Sequence, residues 1–348
     1  MATKLIPGSL ETQLIVVMLL LAILPSAAVG WTAYNVMMEY IRSDHLDTVG
    51  RVADSKRTQL VMVLQRQNDR AKSFLSNLVT QCGHNAAERD SACAADLLKS
   101  YLASEKALGG SLHTQRVGEG LIIGASAARN GRNTALQAGQ LAQFSATGPG
   151  KNVSYFISVA DPAGFELMIT YPSSILDPVF ASPPAELGAS GETFLADGEG
   201  YFVTTPKFSS TQGHSHPISA RPMQSCLNRQ DREVIDEDYR DVSTIMGFRF
   251  IPEFGSACIM AHHSEEEAFA PVKSLERRMI IAMLIFGLIL IAACVYIAKG
   301  IVRPLTNLTK VARAIGAGNY KAKAEAGGTD EIAELAASFL HQCLHPLP

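Results

Sequence analysis

Four histidines stand in pairs whose spacing could bind a metal ion. His214 and His216 lie one residue apart in a polar stretch, whereas His262 and His263 are neighbours at the end of an apolar run. Imidazole nitrogen is a common zinc ligand. Adjacent residues of a strand, however, point to opposite faces of the sheet. We interpret all four as solvated or capping side chains, and we expect neither a metal site nor a cofactor.

Arg249 and three tyrosines are the candidates for contact with a small ligand. Arg249 lies in the middle of the predicted strand GFRFIP, where its guanidinium could face a ligand carboxylate. An outward-facing position on the strand is the favoured alternative. Tyr155, Tyr171 and Tyr201 fall in segments that we predict to be strands. They could line a pocket, although core positions are favoured for most of them.

Sequence signatures of catalysis and of nucleic-acid binding are missing. The chain contains no GxxxxGK[ST] phosphate loop, and no nucleophile elbow, HExxH motif or kinase signature. Its net charge is -3 over 348 residues, which indicates neither a basic nucleic-acid binder nor an acidic tail. We therefore predict a protein without catalytic residues and without a nucleic-acid partner.

Two apolar segments divide the chain. Residues 12–38 and 279–298 carry no charged side chain, and each is long enough for the ~20 apolar residues that cross a bilayer. The first, predicted as a transmembrane helix over 13–37, could also be a cleaved signal peptide, but an uncleaved anchor is favoured. Six basic residues follow the second span before any acidic one, which places that side in the cytoplasm. Residues 1–12 are then cytoplasmic, and residues 38–278 form an external domain.

Four of the six cysteines lie in the external segment, where disulfides persist. Cys82 and Cys93 bracket a short polar loop, and Cys226 and Cys258 both fall in the second half of the segment. Four cysteines allow three pairings. Local pairing, Cys82 with Cys93 and Cys226 with Cys258, is the economical choice, and the spacing does not match a zinc knuckle.

The apolar periodicity of the external segment predicts an α+β fold. Helical spacing persists over a long stalk helix, 38–80, and a second helical pattern after Cys93 ends at Gly109-Gly110. EGLIIGASA, VSYFISVAD and FELMITYP predict strands, and SSILDPVF predicts a short helix. GETFLADGEGYFVTTPKF predicts a hairpin around Asp197-Gly198, and VSTIMGFRF with SACIMAHH predicts another. The stretch between these hairpins, 209 to about 241, is predicted to be a polar loop.

A last external helix, 264–278, is predicted to run straight into the second span. Ser264 and Glu267 have the spacing of a capping box, and the acidic residues that follow Ser264 suit a helix N-terminus. A ligand-induced shift in the last sheet would then reach the membrane through a stiff helix.

Two short amphipathic helices are predicted beyond the second span. The first ends near Gly318, and its apolar residues repeat with the spacing of an a/d seam. The second starts at Asp330 and Glu331. Neither helix can bury its apolar stripe alone, but two chains together would close a four-helix core. The residues of this relay are Pro304, Leu305, Leu308, Ala312, Ile315, Gly318, Asp330, Glu331, Ile332, Leu335 and Phe339.

The segment IVRPLTNLTKVARAIGAGNY, followed by GGTDEIAELAASF, resembles a HAMP domain over residues 299–340. The matching parts are the Arg303-Pro304-Leu305 start, Gly318 and the Asp330-Glu331-Ile332-x-x-Leu335 start of the second helix. The resemblance implies a homodimer in a bacterial inner membrane, where HAMP domains relay signals from an external sensor. The implied partners are a second copy of the chain, the lipid bilayer, an unidentified small ligand and another HAMP-bearing chain.

The external segment resembles a double Cache sensor, which has two PAS-like modules. The residues that carry this resemblance are LGASGETFLADGEGYFVTTPKF and FIPEFGSACIMAHHSEEEAFAPV. It implies a membrane-distal module at about 95–182, which more often holds the ligand, and a membrane-proximal module at about 187–263. The ligand class does not follow from it.

The segment 341–348 has the composition of a truncated tail. Pro346 and Pro348 must stop the second relay helix, and His341 and His345 have no kinase domain behind them. We therefore expect a ligand-binding sensor without catalysis of its own. The alternative is the sensory part of a histidine kinase or diguanylate cyclase that lacks its catalytic domain.

Overall fold

The computed structural model describes residues 10–82, 91–114, 120–124, 136–146, 153–181, 185–208, 217–297 and 303–317, with residues 300, 319, 334 and 338. The chain forms two compact units. Tyr40–Ala270 contains both sheets, and Met1–Glu39 with Pro271–Pro348 forms the other unit. The helices are α1 (Leu10–Cys82), α2 (Ser91–Ser104), α3 (Asp177–Phe180), α4 (Arg221–Leu227), α5 (Glu265–Ile297) and α6 (Arg303–Gly316). The strands are β1 (Gly109–Thr114), β2 (Gly120–Gly124), β3 (Gln143–Ala146), β4 (Ser154–Ala160), β5 (Phe165–Pro172), β6 (Glu192–Asp197), β7 (Arg232–Glu237), β8 (Ser243–Phe250) and β9 (Ala257–Ser264).

The first sheet is antiparallel, with strand order β2-β1-β5-β4-β3. One of its faces packs against α1 and α2. Leu64 and Leu75 of α1, Leu98 of α2, and Tyr155 and Ile169 of the sheet belong to one buried cluster. Burial of such side chains contributes about 1.5–3 kcal/mol each, so this face joins the sheet firmly to the long helix.

The second sheet is also antiparallel, with strand order β6-β9-β8-β7. Its two faces have different partners. Met246 and Phe248 cluster with Met223 of α4 on one face. On the other face β8 meets α1 so closely that a Cβ at Gly247 would lie 2.8 Å from the backbone of Val49. Glycine lets the strand and the helix approach this closely.

The predicted fold class, two sheet modules on a long helical stalk, is confirmed by this architecture. The predicted elements differ in detail. The first helical pattern after Cys93 ends at Ser104, and β1 starts at Gly109, which was expected only to terminate that helix. The predicted loop 209–241 contains α4 and β7. The predicted hairpin around Asp197 is wrong, because β6 is followed by a turn and a single bridge between Ala196 and Phe202.

Both apolar segments belong to helices that are longer than the segments themselves. Helix α1 has 73 residues and α5 has 33. These two helices are long and apolar enough to cross a membrane, judged by length and composition. Trp31 of α1 is 69% exposed and Leu288 of α5 is 67% exposed. The predicted stalk helix and the first apolar segment therefore form one continuous helix, α1. The predicted helix 264–278 and the second apolar segment form another, α5.

Both predicted disulfides are present. Cys82 at the end of α1 bonds Cys93 in α2, and Cys226 of α4 bonds Cys258 of β9. Each bridge joins elements of one sheet module, because the first closes the α1–α2 corner and the second fastens α4 to a central strand. Cys294, in the second apolar segment, is a free thiol.

Candidate ligand face and relay helix

The first sheet has a second face, turned away from the helical core, that mixes polar and apolar side chains. Residues directly opposite each other in antiparallel strands share a face. Met168 of β5 is opposite both Ser111 of β1 and Ser158 of β4, and Thr170 is opposite Phe156. We call these five residues the ligand face. Leu136 packs against its two apolar members.

Ser111 is the most informative residue of the ligand face. Its side chain is fully buried, yet its hydroxyl has no hydrogen-bond partner among the described residues. A buried hydroxyl without a partner is unfavourable by about 1–3 kcal/mol. The next row of the same face adds His113 opposite Glu166, whose carboxylate accepts a 2.5 Å hydrogen bond from Ser158. Hydroxyl, imidazole and carboxylate groups beside apolar side chains are groups that orient a small ligand in its site.

Tyr155 and Tyr171 lie on the opposite, helix-facing side of the first sheet. Both are fully buried, and their rings stack with centroids 5.5 Å apart. The Tyr155 hydroxyl bonds the side chain of Gln67 on α1 at 3.0 Å. Burial raises the pKa of both tyrosines above its ordinary value. They are core residues, which was the favoured alternative, and they do not belong to the ligand face.

Tyr201 and Arg249 also occupy positions that differ from the candidate roles. Tyr201 lies in the turn after β6, outside any strand, and its backbone N–H donates to Asp197 Oδ1 at 2.8 Å. Arg249 is buried and bonds Asp54 of α1 at 2.6 Å and Glu233 of β7 at 2.6 Å. Burial lowers the pKa of its guanidinium, but these two carboxylates outweigh burial and raise it. Arg249 thus joins the second sheet to α1, and it neither faces solvent nor remains open to a ligand carboxylate.

His262 is buried rather than solvated, and it belongs to a polar network inside the second sheet module. Its Nε2 lies 3.1 Å from Oε2 of Glu192, the residue opposite it on β6. The same carboxylate oxygen accepts a 2.8 Å hydrogen bond from the Tyr239 hydroxyl. Burial alone would raise the pKa of Glu192, but His262, Tyr239 and a backbone N–H lower it below its ordinary value. The network therefore holds an ionised carboxylate in the module interior and fixes β6 to β9.

His263 faces the other way, towards the helices. It is 2% exposed, and its ring centroid lies 5.0 Å from that of His45 on α1. Burial, together with repulsion from His45 and His262, lowers its pKa to about 4, although Glu267 acts in the opposite direction. His263 is consequently neutral at pH 7. The sequence showed the adjacent histidines but not their burial, so the expectation of solvated side chains was wrong for both.

The first turn of α5 is fastened to the segment that connects the two sheet modules. The Glu267 carboxylate accepts hydrogen bonds from the backbone N–H groups of Ala189 and Ser190 at 2.8 and 2.7 Å. Ser190 Oγ in turn accepts from the N–H of Ser264 at 2.9 Å. We call this set of bonds the relay clamp. Half of the predicted capping box is present, because Ser264 Oγ caps the N–H of Glu267 at 3.4 Å, while the Glu267 side chain is used in the clamp instead.

An open cleft of about 690 Å³ runs along α1 and α2. Two of its charged groups are paired, since Arg70 bonds Glu105 at 3.1 Å. Phe74 and Tyr101 stack at 4.1 Å in its wall. We rank this cleft below the ligand face because its Arg70–Glu105 pair is already formed.

The described part of the predicted relay is α6. Pro304 lies in its first turn, as expected. Leu305 is 42% exposed, and the other predicted seam residues of this helix, Leu308, Ala312 and Ile315, are half-buried. The remaining relay residues, Gly318, Asp330, Glu331, Ile332, Leu335 and Phe339, lie outside the described residues, as do His214 and His216. Within the described ranges, no group of three or more His, Cys, Asp or Glu side chains is placed to hold a metal ion.

Comparison with known families identifies the segment after the second apolar helix. Residues 296–341 match the family model of the HAMP domain. The chain carries a HAMP domain. Its HAMP domain starts at the end of α5 and includes α6, within three residues of the predicted bounds 299–340. Two sheet modules, two helices long and apolar enough to span a membrane and a HAMP domain together make the organisation of a membrane sensor, as the sequence predicted.

The two sheet modules are similar to solved structures of sensory domains. The periplasmic sensory domain of the Campylobacter jejuni chemoreceptor Tlp1 matches with 10% identity and a TM-score of 0.47, over 66% of this chain and 99% of that one. The ligand-binding domain of the Pseudomonas fluorescens chemoreceptor CtaA, in complex with L-isoleucine, matches with 14% identity and a TM-score of 0.39, over 69% and 99%. That of Pseudomonas aeruginosa PctB, in complex with L-Gln, matches with 14% identity and a TM-score of 0.41, over 68% and 98%. None of the curated proteins compared with this chain matches it.

Proposed function

We propose that this protein is a transmembrane sensor that binds a small ligand outside the membrane and relays a conformational change to its HAMP domain. One observation carries the proposal. Strand β9, which lies between β6 and β8, continues directly into α5, and α5 ends where the HAMP domain begins. A displacement of the second sheet therefore has a continuous helical path to the HAMP domain.

Ligand binding is proposed for the ligand face of the first sheet. The unpartnered hydroxyl of Ser111 lies opposite Met168, which has Ser158 on its other side. Together they offer a ligand both hydrogen bonding and apolar contact. A ligand that satisfies this hydroxyl removes the unfavourable energy of burying it alone. A ligand-induced change in this face would then be transmitted to the second sheet module through the chain segment after β5.

The relay clamp is the proposed link between the two modules and α5. The segment that contains Ala189 and Ser190 follows the first sheet in the chain, and its N–H groups hold the Glu267 carboxylate. Hydrogen bonds to an ionised carboxylate are stronger than neutral ones. Movement of the segment therefore pulls on the first turn of α5.

A bacterial inner membrane is the proposed location, with residues 38–278 outside and the HAMP domain inside. The exposed apolar side chains of α1 and α5 would contact lipid. A parallel homodimer is proposed through the HAMP seams, because α6 leaves Leu305 exposed and two copies would cover it. A second, different HAMP-bearing chain could occupy the same position.

The proposal is tested with the full chain in lipid nanodiscs and a small-molecule screen by thermal shift, since a ligand bound to the native state raises the Tm. A hit should lose its effect in Ser111→Leu, which fills the ligand face, and keep it in Ser100→Leu, an exposed position of α2. The same hit should change the rate of disulfide cross-linking between two chains that carry Leu308→Cys. A hit unaffected by Ser111→Leu would place the ligand elsewhere, and unchanged cross-linking would contradict the relay.

A further inference from the structure

A second cleft, of about 390 Å³, lies between the two sheet modules. The first module contributes glutamines from the segment that leads into β3, and the second contributes the turn after β6 and the loop before β9. We call it the inter-sheet cleft. Its lining includes Gln140, Gln143, Asp197, Glu199, Arg229 and Ser256. Its volume falls within the range of about 300–1,000 Å³ that is usual for small-ligand sites.

Asp197 is the residue that marks this cleft as a site. It is 2% exposed, and its Oδ1 accepts hydrogen bonds from the N–H groups of Glu199 and Tyr201 at 2.9 and 2.8 Å. Its other carboxylate oxygen, Oδ2, is buried and has no hydrogen-bond partner among the described residues. Burial raises the pKa of this carboxyl group, and the backbone donors only partly oppose that effect. An acceptor oxygen in this position can accept a hydrogen bond from an ordered water or from a ligand in the cleft.

The other lining groups also favour a donor that carries positive charge. Glu199 is exposed and adds a second carboxylate two residues from Asp197. The amide side chains of Gln140 and Gln143 offer further acceptor oxygens. Arg229 contributes a positive charge to the lining. Its guanidinium carbon lies 5.5 Å from the centroid of the Phe250 ring, so the charge makes a cation–π contact with that ring.

Arg229 also has an unusual backbone. Its φ is 61°, in the left-handed region at the end of α4, where glycine is the common residue. Its N–H donates to the carbonyl of Cys226 at 2.8 Å, and the next N–H donates to Ser225. An arginine in this conformation is less favourable than a glycine. Its side chain closes one wall of the cleft, which a glycine could not do.

We propose that the inter-sheet cleft binds a small organic ammonium ion, whose N–H donors satisfy Asp197 Oδ2 and whose charge is balanced by Asp197 and Glu199. A bare divalent metal ion fits less well, because within the described ranges no group of three or more His, Cys, Asp or Glu side chains is placed to hold one. An ammonium ion needs only two or three acceptors, which carboxylate and amide oxygens supply. The ligand would bridge the two sheet modules.

The test uses the purified full chain and 1,4-diaminobutane as the probe, with 1,4-butanediol as its uncharged analogue. At about ten times its Kd the diamine should raise the Tm by roughly 3–5 °C, and the diol should not. Asp197→Asn keeps the Oδ1 acceptor of the turn and replaces Oδ2 by a donor, so diamine affinity should fall at least tenfold. Asp161→Asn, in the turn between β4 and β5, is the matched control and should bind like the wild type.

Three results would overturn the site. They are the absence of a diamine shift at 20 mM in the wild type, an equal shift with the diol, or an unchanged shift in Asp197→Asn. If Asp197→Asn does not fold, Glu199→Gln decides, because Glu199 is exposed and its loss should weaken binding several-fold without unfolding the protein. Unchanged affinity in that variant would also reject the proposal. These outcomes do not depend on the proposed sensor function, since binding is measured directly.

Discussion

Acidification is expected to destabilise the unit of two sheets, Tyr40–Ala270, through one buried histidine. His263 lies on β9, faces His45 of α1 at 5.0 Å between ring centroids, and is 2% exposed. Burial and the neighbouring His45 and His262 keep its pKa at about 4, against 6.5 for an ordinary histidine, while Glu267 opposes them. Its Nε2 has no hydrogen-bond partner among the described residues. A proton on this ring would therefore be a poorly compensated buried charge.

The sign of the effect follows from where the proton binds. Between pH 6.5 and 4 the unfolded chain carries the proton on His263, whereas the folded chain does not. The unfolded state therefore binds more protons, and the free energy of unfolding falls as the pH is lowered through this window. One pKa unit corresponds to about 1.4 kcal/mol, so the loss is on the order of 3 kcal/mol by pH 4. In this size range that is roughly 6–12 °C in Tm.

The assay is the Tm of the full chain in detergent between pH 7.5 and 4.5. Glu192 does not interfere with the measurement in this range. Because the pKa of Glu192 is lowered in the folded state, its contribution to stability is lost only when the pH falls below the ordinary carboxylate range. His263→Met removes the titrating group without leaving an unpaired ring nitrogen, so its Tm should depend much less on pH. His113→Gln, in the first sheet, is the matched control. A wild-type slope that survives in His263→Met would refute the assignment.

Three further predictions concern stability and assembly. Gly247→Ala should lower the free energy of unfolding by about 1–3 kcal/mol in denaturant titrations, because its methyl group would collide with the backbone of Val49 on α1; an unchanged midpoint would contradict this close approach. Cys226→Ser should lower the free energy of unfolding by about 3–4 kcal/mol and Cys82→Ser by slightly less, since the Cys226–Cys258 disulfide spans 32 residues and the Cys82–Cys93 disulfide spans 11; non-reducing peptide mapping checks both bridges. Leu308→Glu should reduce self-association of the full chain, measured as mass in detergent, because a four-helix core would leave the charge unpaired. Thr309→Glu, on the exposed side of α6, is its control.

The features that the sequence predicted correctly are those with strong local signals. Uncharged runs of about 20 residues or more predicted two helices long and apolar enough to cross a membrane, and α1 and α5 contain them. The continuous stalk was visible because helical spacing persists to the end of α1 without proline after Pro25. Short segments of sequence were likewise sufficient to predict the two disulfides and the HAMP domain. Each of these inferences needs only neighbours in the chain.

The features that the sequence missed depend on partners far along the chain. Strand β7, with the sequence REVIDE, is half-exposed at the sheet edge and lacks a clear apolar face, so it was predicted to be loop. The role of Arg249 required knowledge that Asp54, 195 residues away, lies beside it. The sequence signal at Asp197-Gly198 correctly predicted a turn but not a long second strand. The Asp197 carboxylate accepts hydrogen bonds from the N–H groups of Glu199 and Tyr201, which closes the turn locally.

The contacts of α1 constrain how a signal could pass through the molecule. Gln67 of α1 bonds Tyr155 of the first sheet. Asp54, which is nearer the N-terminus of the same helix, bonds Arg249 of the second sheet. Both sheets are therefore fastened to one helix. A displacement of one sheet against the other must bend α1 or break these bonds, of which the Gln67–Tyr155 bond is buried. Helix α5 is held by strand β9, by the half-buried carboxylate of Glu267 and by the buried side chains of Ala268, Phe269 and Val272. Residues 273–278 of α5 are exposed, so a displacement of the second sheet acts on this helix through its first two turns.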